Sequence, residues 1–142
     1  MSSFKYTAGL NNVGSFQVSG IPFTSGSIDV NNSTPVKVEF PYVTSWVQIV
    51  AHTGSADDLR IGFSENGVQG TNYFRMHVNN NSNQIVAYDD PLPLKVTELW
   101  FLADSAGTAN FDVVAGLTGI AVERVTNASP SGSNWSGSVG VG

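Results

Sequence analysis

Few residues of this chain could do chemistry. There are two histidines, His52 and His77, and no cysteine. Each histidine falls at the end of a strand-like run or on its polar side, with no third ligand close in sequence. A zinc site needs three or four converging ligands, so surface or interface histidines are the plainer reading. The acidic pairs Asp57-Asp58 and Asp89-Asp90 sit in loop-like stretches, with Glu65 and Asn66 in the next turn along from the first pair. Loop carboxylates with an Asn and backbone carbonyls can ligate calcium. Two carboxylates across a cleft could also act as acid and nucleophile on a glycosidic bond. A local explanation competes: Asp hydrogen-bonds its own backbone in turns, which makes these pairs turn-forming and solubilising. No Ser–His–Asp order, Gly-rich phosphate loop or metal signature is present. No catalytic, cofactor-binding or metal-binding residue is expected, and the chain reads as a non-enzyme.

Two further groups bear on binding. Trp46, Trp100 and Trp135, with four Tyr and eight Phe, could include a sugar-stacking platform. Most of these aromatics lie inside apolar strand-like runs, where core packing accounts for them. Asn-x-Ser/Thr sequences occur at Asn31, Asn32, Asn80, Asn127 and Asn134. They follow from Asn/Ser-rich loops, and without a secretory signal they would not meet the usual glycosylation machinery.

The elements that would position these residues are strands. The chain of 142 residues is long enough for one domain. Charged residues make up only 12%, against about a quarter in a typical soluble domain. Such a surface is covered by Ser, Thr, Asn and Gly, or is partly buried against other subunits. A net charge of −5 with six scattered basic residues argues against nucleic acid, whose binders need a Lys/Arg stripe. The opening residues lack the apolar region of a signal peptide, and no apolar run approaches the ~18–20 residues of a membrane helix. A soluble protein made in the cytosol is the expectation.

Helical spacing is nearly absent, while short β-branched and aromatic runs bounded by Gly, Pro and Asn recur. Strands are predicted near 15–19, 26–31, 35–40, 44–52, 58–64, 71–78, 84–88, 94–103, 109–115 and 118–125. In 58–64, Leu59, Ile61 and Phe63 alternate with Arg60, Gly62 and Ser64; in 71–78, Phe74, Met76 and Val78 alternate with Tyr73, Arg75 and His77. These are half-exposed antiparallel strands. In 94–103, Leu99, Trp100, Phe101 and Leu102 place apolar groups on both faces. That strand is either central in a thick core or covered outside by another subunit. The turns predicted at 64–70 and 104–110 are Gly/Asn reversals, and the two prolines of "YDDPLPL" mark a loop or sheet edge. The predicted core is Val38, Val47, Ile49, Leu59, Ile61, Phe63, Phe74, Met76, Leu99, Phe101, Phe111 and Val113. Eight to ten such strands make an all-β sandwich or barrel. From Thr126 the chain is Ser/Gly-rich, with Trp135 its one large apolar residue.

The runs "DLRIGFSENGVQGTNYFRM" (58–76) and "LKVTELWFLADSAGTANFDVVAGLTGI" (94–120) resemble the single jelly-roll capsid proteins of large icosahedral DNA viruses. They are most similar to the small vertex, or penton, proteins of algal viruses. The resemblance covers roughly residues 15–125 and rests on size, strand rhythm and uncharged Asn/Ser/Gly loops. It implies a single jelly-roll β-sandwich of about eight antiparallel strands over 15–125; nothing is carried over to the arm (1–14) or the Ser/Gly-rich tail (126–142), which are expected to be flexible on their own account. It also implies a virion protein made in the host cytoplasm, five copies closing each five-fold vertex beside the major and minor capsid proteins, with no membrane insertion. Loops 52–58, 64–71 and 104–110 would then gather near the five-fold axis, and Trp135 would anchor the tail in a neighbour. The competing expectation is a carbohydrate-binding, lectin-like β-sandwich module, which needs two or three exposed, coplanar aromatics.

Overall fold

The computed structural model describes residues 20–51, 58–76, 87–88, 90–105, 107–122 and 137–142. In chain order they form β1 (Ile21–Val30), β2 (Val36–Glu39), β3 (Tyr42–Ala51), β4 (Leu59–Gly62), α1 (Glu65–Gln69), β5 (Tyr73–Met76), β6 (Ala87–Tyr88), β7 (Glu98–Ala103) and β8 (Ala109–Ala121). Two four-stranded sheets result, ordered β1-β8-β3-β6 and β2-β7-β4-β5, with every pairing antiparallel. The fold is an all-β sandwich, as the alternating pattern predicts. The pairs β4–β5, β3–β6, β2–β7 and β1–β8 are nested, each enclosing the last along the chain.

The inward faces of the two sheets supply one core. Val38, Val47, Ile49, Leu59, Ile61, Met76, Leu99, Phe101, Phe111 and Val113 are all buried in it, while Phe63 and Phe74 are half-buried at its margin. Phe101 of β7 meets Phe111 of β8 across the sandwich, ring centroids 4.4 Å apart. Phe23 and Phe40 make a second, edge-on contact at 5.0 Å.

Several element boundaries differ from expectation, each for a physical reason. β1 begins at Ile21 and tolerates Pro22, because β1 is an edge strand and a missing N–H there breaks no ladder. Within β1 the register with β8 shifts between Ser25 and Ile28. Ser27 takes a left-handed conformation (φ 56°) and its N–H donates to Asp112 Oδ1 at 2.7 Å. The runs 109–115 and 118–125 join as one strand to Ala121. Gly116 does not break it: a Cβ there would lie 2.2 Å from Trp46 Nε1, so the glycine makes room for the indole. β7 begins at Glu98 because the residues before it bond to β3 instead. Val47 and Leu92 exchange backbone hydrogen bonds at 2.7 and 2.8 Å, and Thr44 N–H donates to Val96 O at 3.0 Å. With Pro91 and Pro93 on either side, Leu92 alone of the three can donate.

The 64–70 reversal contains a short helix, α1, that folds back against β4 and β7. It lies close to β7, a strand with apolar residues on both faces. Leu99, Phe101 and Ala103 enter the core, while Leu102 on the other face is also buried, within this same chain. β7 lies centrally between β2 and β4, so no partner subunit is required to cover it. α1 likewise buries Gly62 and Ser64, which alternation had assigned to the solvent side. The predicted strand at 15–19 and the arm 1–14 lie outside the described residues, as does 126–136. Residues 137–142 are packed against α1.

Candidate functional site

The outward face of the β2-β7-β4-β5 sheet carries two clusters of charge. β4 and β5 pair so that Arg60 faces Arg75, and like charges directly opposite destabilise a sheet. Asp104, just after β7, resolves this: its Oδ1 accepts from Arg60 Nε at 2.7 Å and lies 3.1 Å from Arg75 Nε. The Arg60 hydrogen bond, aided by Arg75 and opposed by partial burial, holds the Asp104 carboxyl below the usual carboxylate range. At the other side of the sheet, Glu39 faces Glu98, and Lys37 Nζ sits 2.5 Å from Glu39 Oε1 and 3.7 Å from Glu98 Oε2. The hydrogen bond to Glu39 is the main reason the Lys37 ammonium is held above its usual range. Each like-charged pair thus carries its own counter-ion.

The arginines also fix an aromatic ring. Arg60 lies 4.4 Å and Arg75 5.4 Å from the Tyr73 ring centroid, and Arg75 Nη2 donates to the Tyr73 hydroxyl at 3.1 Å. Beside this tyrosine is an open cleft of about 310 Å³, lined by Phe63, Thr71, Asn72, Tyr73, Phe74 and Gly140. It lies where edge strand β5 begins.

Gly140 reaches the cleft because residues 137–142 are docked on α1. Ser64 caps the helix, its Oγ accepting from Gly67 N–H at 2.9 Å. The same hydroxyl can donate to Val141 O at 2.7 Å or Gly142 O at 2.9 Å. Gly67 permits the approach, since a Cβ there would fall 2.1 Å from Val141 O. On the underside of α1, Val68 is buried over Gly62, where a Cβ would lie 3.2 Å from that of Val68.

The residues singled out by type fare unevenly. His52, His77, Asp57, Asp89, Trp135, Asn80, Asn127 and Asn134 lie outside the described residues. Asp58 accepts Asp104 N–H through its backbone oxygen at 2.9 Å. Glu65 stands in the first turn of α1, and Glu65, Asn66 and Asp90 are exposed. Among the described residues no group of three or more His, Cys, Asp or Glu could hold a metal. Asn31 is a turn residue, its Oδ1 accepting from Ser33 N–H and Oγ and from Thr34 N–H; Asn32 beside it is exposed. Trp100 is half-buried with Lys37 over its ring, while Trp46 and Tyr42 of β3 are 36% and 39% exposed. Tyr73, Arg60, Arg75 and Asp104 were not singled out. The available signal was an Arg on the polar side of each of two successive strands.

The loop ends also sort differently. Asp58 and Asp104 meet at one end of the sandwich, and Ala103 N–H bonds Asn31 O there at 3.1 Å. The 64–71 connection leaves β4 at the opposite end, because successive antiparallel connections alternate ends. It cannot join the other two around one axis.

No family model, curated protein or solved structure matches this chain. No helix among the described residues is long and apolar enough to cross a membrane.

Proposed function

We propose that this sandwich is a single jelly roll and that the protein is a structural subunit of a closed shell, five copies forming each vertex of an icosahedral capsid. The observation that carries the reading is the strand order. The arrangement β1-β8-β3-β6 over β2-β7-β4-β5, with its nested antiparallel pairs, is the order expected of a jelly roll built from two Greek keys, a fold used by capsid and lectin domains. Fold alone does not assign function. The resemblance of 58–76 and 94–120 to penton proteins and the 12% charge favour the shell over the lectin. A ring of identical wedges joins unlike flanks of each subunit, and charge-poor flanks avoid like-charge opposition between them.

In this arrangement the end bearing Asn31, Asp58 and Asp104 points to the five-fold axis, with major and minor capsid proteins along the outer flanks. The test is the solution mass by sedimentation and native mass spectrometry, together with electron cryomicroscopy of particles carrying the protein. Pentamers, or density for this fold at the vertices, are expected. A protein that is monomeric at every concentration and absent from purified particles overturns the proposal.

A further inference from the structure

We propose that the cleft beside β5 binds a single uncharged, hydroxylated ring of the pyranose type. Its walls combine what such a ligand needs. Phe63 and Phe74 are only half-buried, so each offers apolar ring surface to the axial C–H face of a sugar. Thr71 and Asn72, which carry a hydroxyl and an amide, line the cleft as well, and neither side chain forms a hydrogen bond with a described residue. Apolar walls with a few converging polar groups are the usual make-up of a small-ligand site. The volume of about 310 Å³ is at the lower end of the roughly 300–1,000 Å³ typical of such sites, which favours one ring over an extended chain.

Charge and preorganisation point the same way. No lining residue is charged, and the nearest cations, Arg60 and Arg75, already share Asp104. An anionic sugar would have to compete with that carboxylate. Tyr73 is held by both guanidiniums, so little side-chain freedom remains to be lost when a ligand touches it. Gly140 closes one side only while residues 137–142 stay docked on Ser64 and Gly67. The cleft is thus assembled from the residue that follows β4, the connection from α1 to β5, the start of β5 and a segment far along the chain. Phe63, Tyr73 and Phe74 come from strand-like runs that core packing already explained, so aromatic counting alone does not find it. This inference does not depend on the shell reading, since a subunit in any oligomeric state can be tested for it.

The experiment is a titration of the isotope-labelled full chain with glucose, galactose, mannose and N-acetylglucosamine, followed through backbone amide resonances. At least one sugar should give saturable shifts at 71–74 and at Gly140, with millimolar affinity. The Thr71→Val/Asn72→Ala double variant should weaken that binding at least fivefold while keeping the remaining spectrum, because the Asn72 backbone bond to Gly67 O is retained. Ser64→Ala, which releases the docked segment, should also weaken it, and Trp46→Ala should not. Absence of saturable shifts with all four sugars, shifts centred on Trp46, or undiminished binding in the double variant each overturns the proposal.

Discussion

Single side chains separate the core from its margin. Phe101 and Phe111 are fully buried and in ring contact, so Phe101→Ala should cost about 3–5 kcal/mol in chemical denaturation. Phe63→Ala should cost clearly less, since Phe63 is only partly buried; equal losses would refute the assignment of Phe63 to the margin. Alternation along each strand was enough to find these positions, because a pleated strand sends every second residue inward. It misjudged Phe63 and Phe74 because they sit where the sandwich opens. Asp104 was not legible, since its partners Arg60 and Arg75 are brought to it only by strand pairing. Its carboxyl is depressed in the folded state, so its stabilising contribution is complete above the ordinary Asp range and disappears as pH falls through the folded value, below that range. Denaturation midpoints of wild type and Asp104→Asn should therefore differ near neutral pH and converge in acid. A gap that persists at the lowest pH would assign the effect to something other than the ionised carboxylate.

Elements depend on neighbours that the sequence does not display. α1 has five residues, only one of them, Val68, large and apolar, so no 3.6-residue period could show. Its local signals are Ser64, a favourable N-cap, and the acidic Glu65 in its first turn. Losing that cap in Ser64→Ala should cost about 1 kcal/mol. Gly67→Ala should undock residues 137–142 by intruding on Val141 O, and the N–H groups of Gly137, Val141 and Gly142, bonded within that segment, should lose hydrogen-exchange protection. Unchanged protection would mean that the glycine contact is not what holds the segment. β8 was legible only as two pieces because Gly116 has the composition of a turn and the role of a seat for Trp46. Gly116→Ala, forcing the indole aside, should destabilise by roughly 1–3 kcal/mol, measurable as a lower melting temperature.

At the scale of the whole molecule, the all-β class and the absence of helical spacing could be read directly, whereas strand order could not. Local patterns state which face is buried but not which distant strand lies alongside. The two-sided β7 illustrates the limit: its sequence was compatible with a subunit contact, yet Leu102 is buried within the single chain. The compensated charge pairs on the outer sheet bear on assembly. If subunits associate through charge-poor flanks, raising salt from low to molar concentration should leave the association constant nearly unchanged, since only exposed unpaired charges are screened strongly. A steep weakening with salt would instead identify a charge-driven contact and count against the proposed flanks.

The nesting of the strand pairs sets an order in time. The β4–β5 pairing closes across the short stretch that contains α1, whereas β1 must find β8, almost the full described length away. Closing each larger loop costs more chain entropy, and sandwiches dominated by distant contacts fold in roughly milliseconds to seconds. The innermost hairpin is thus the natural nucleus, and substitutions there should slow folding, while those in β1 should mainly hasten unfolding. A chain growing on the ribosome would hold β1 unpaired until β8 had emerged, its open edge exposed to other nascent copies of itself.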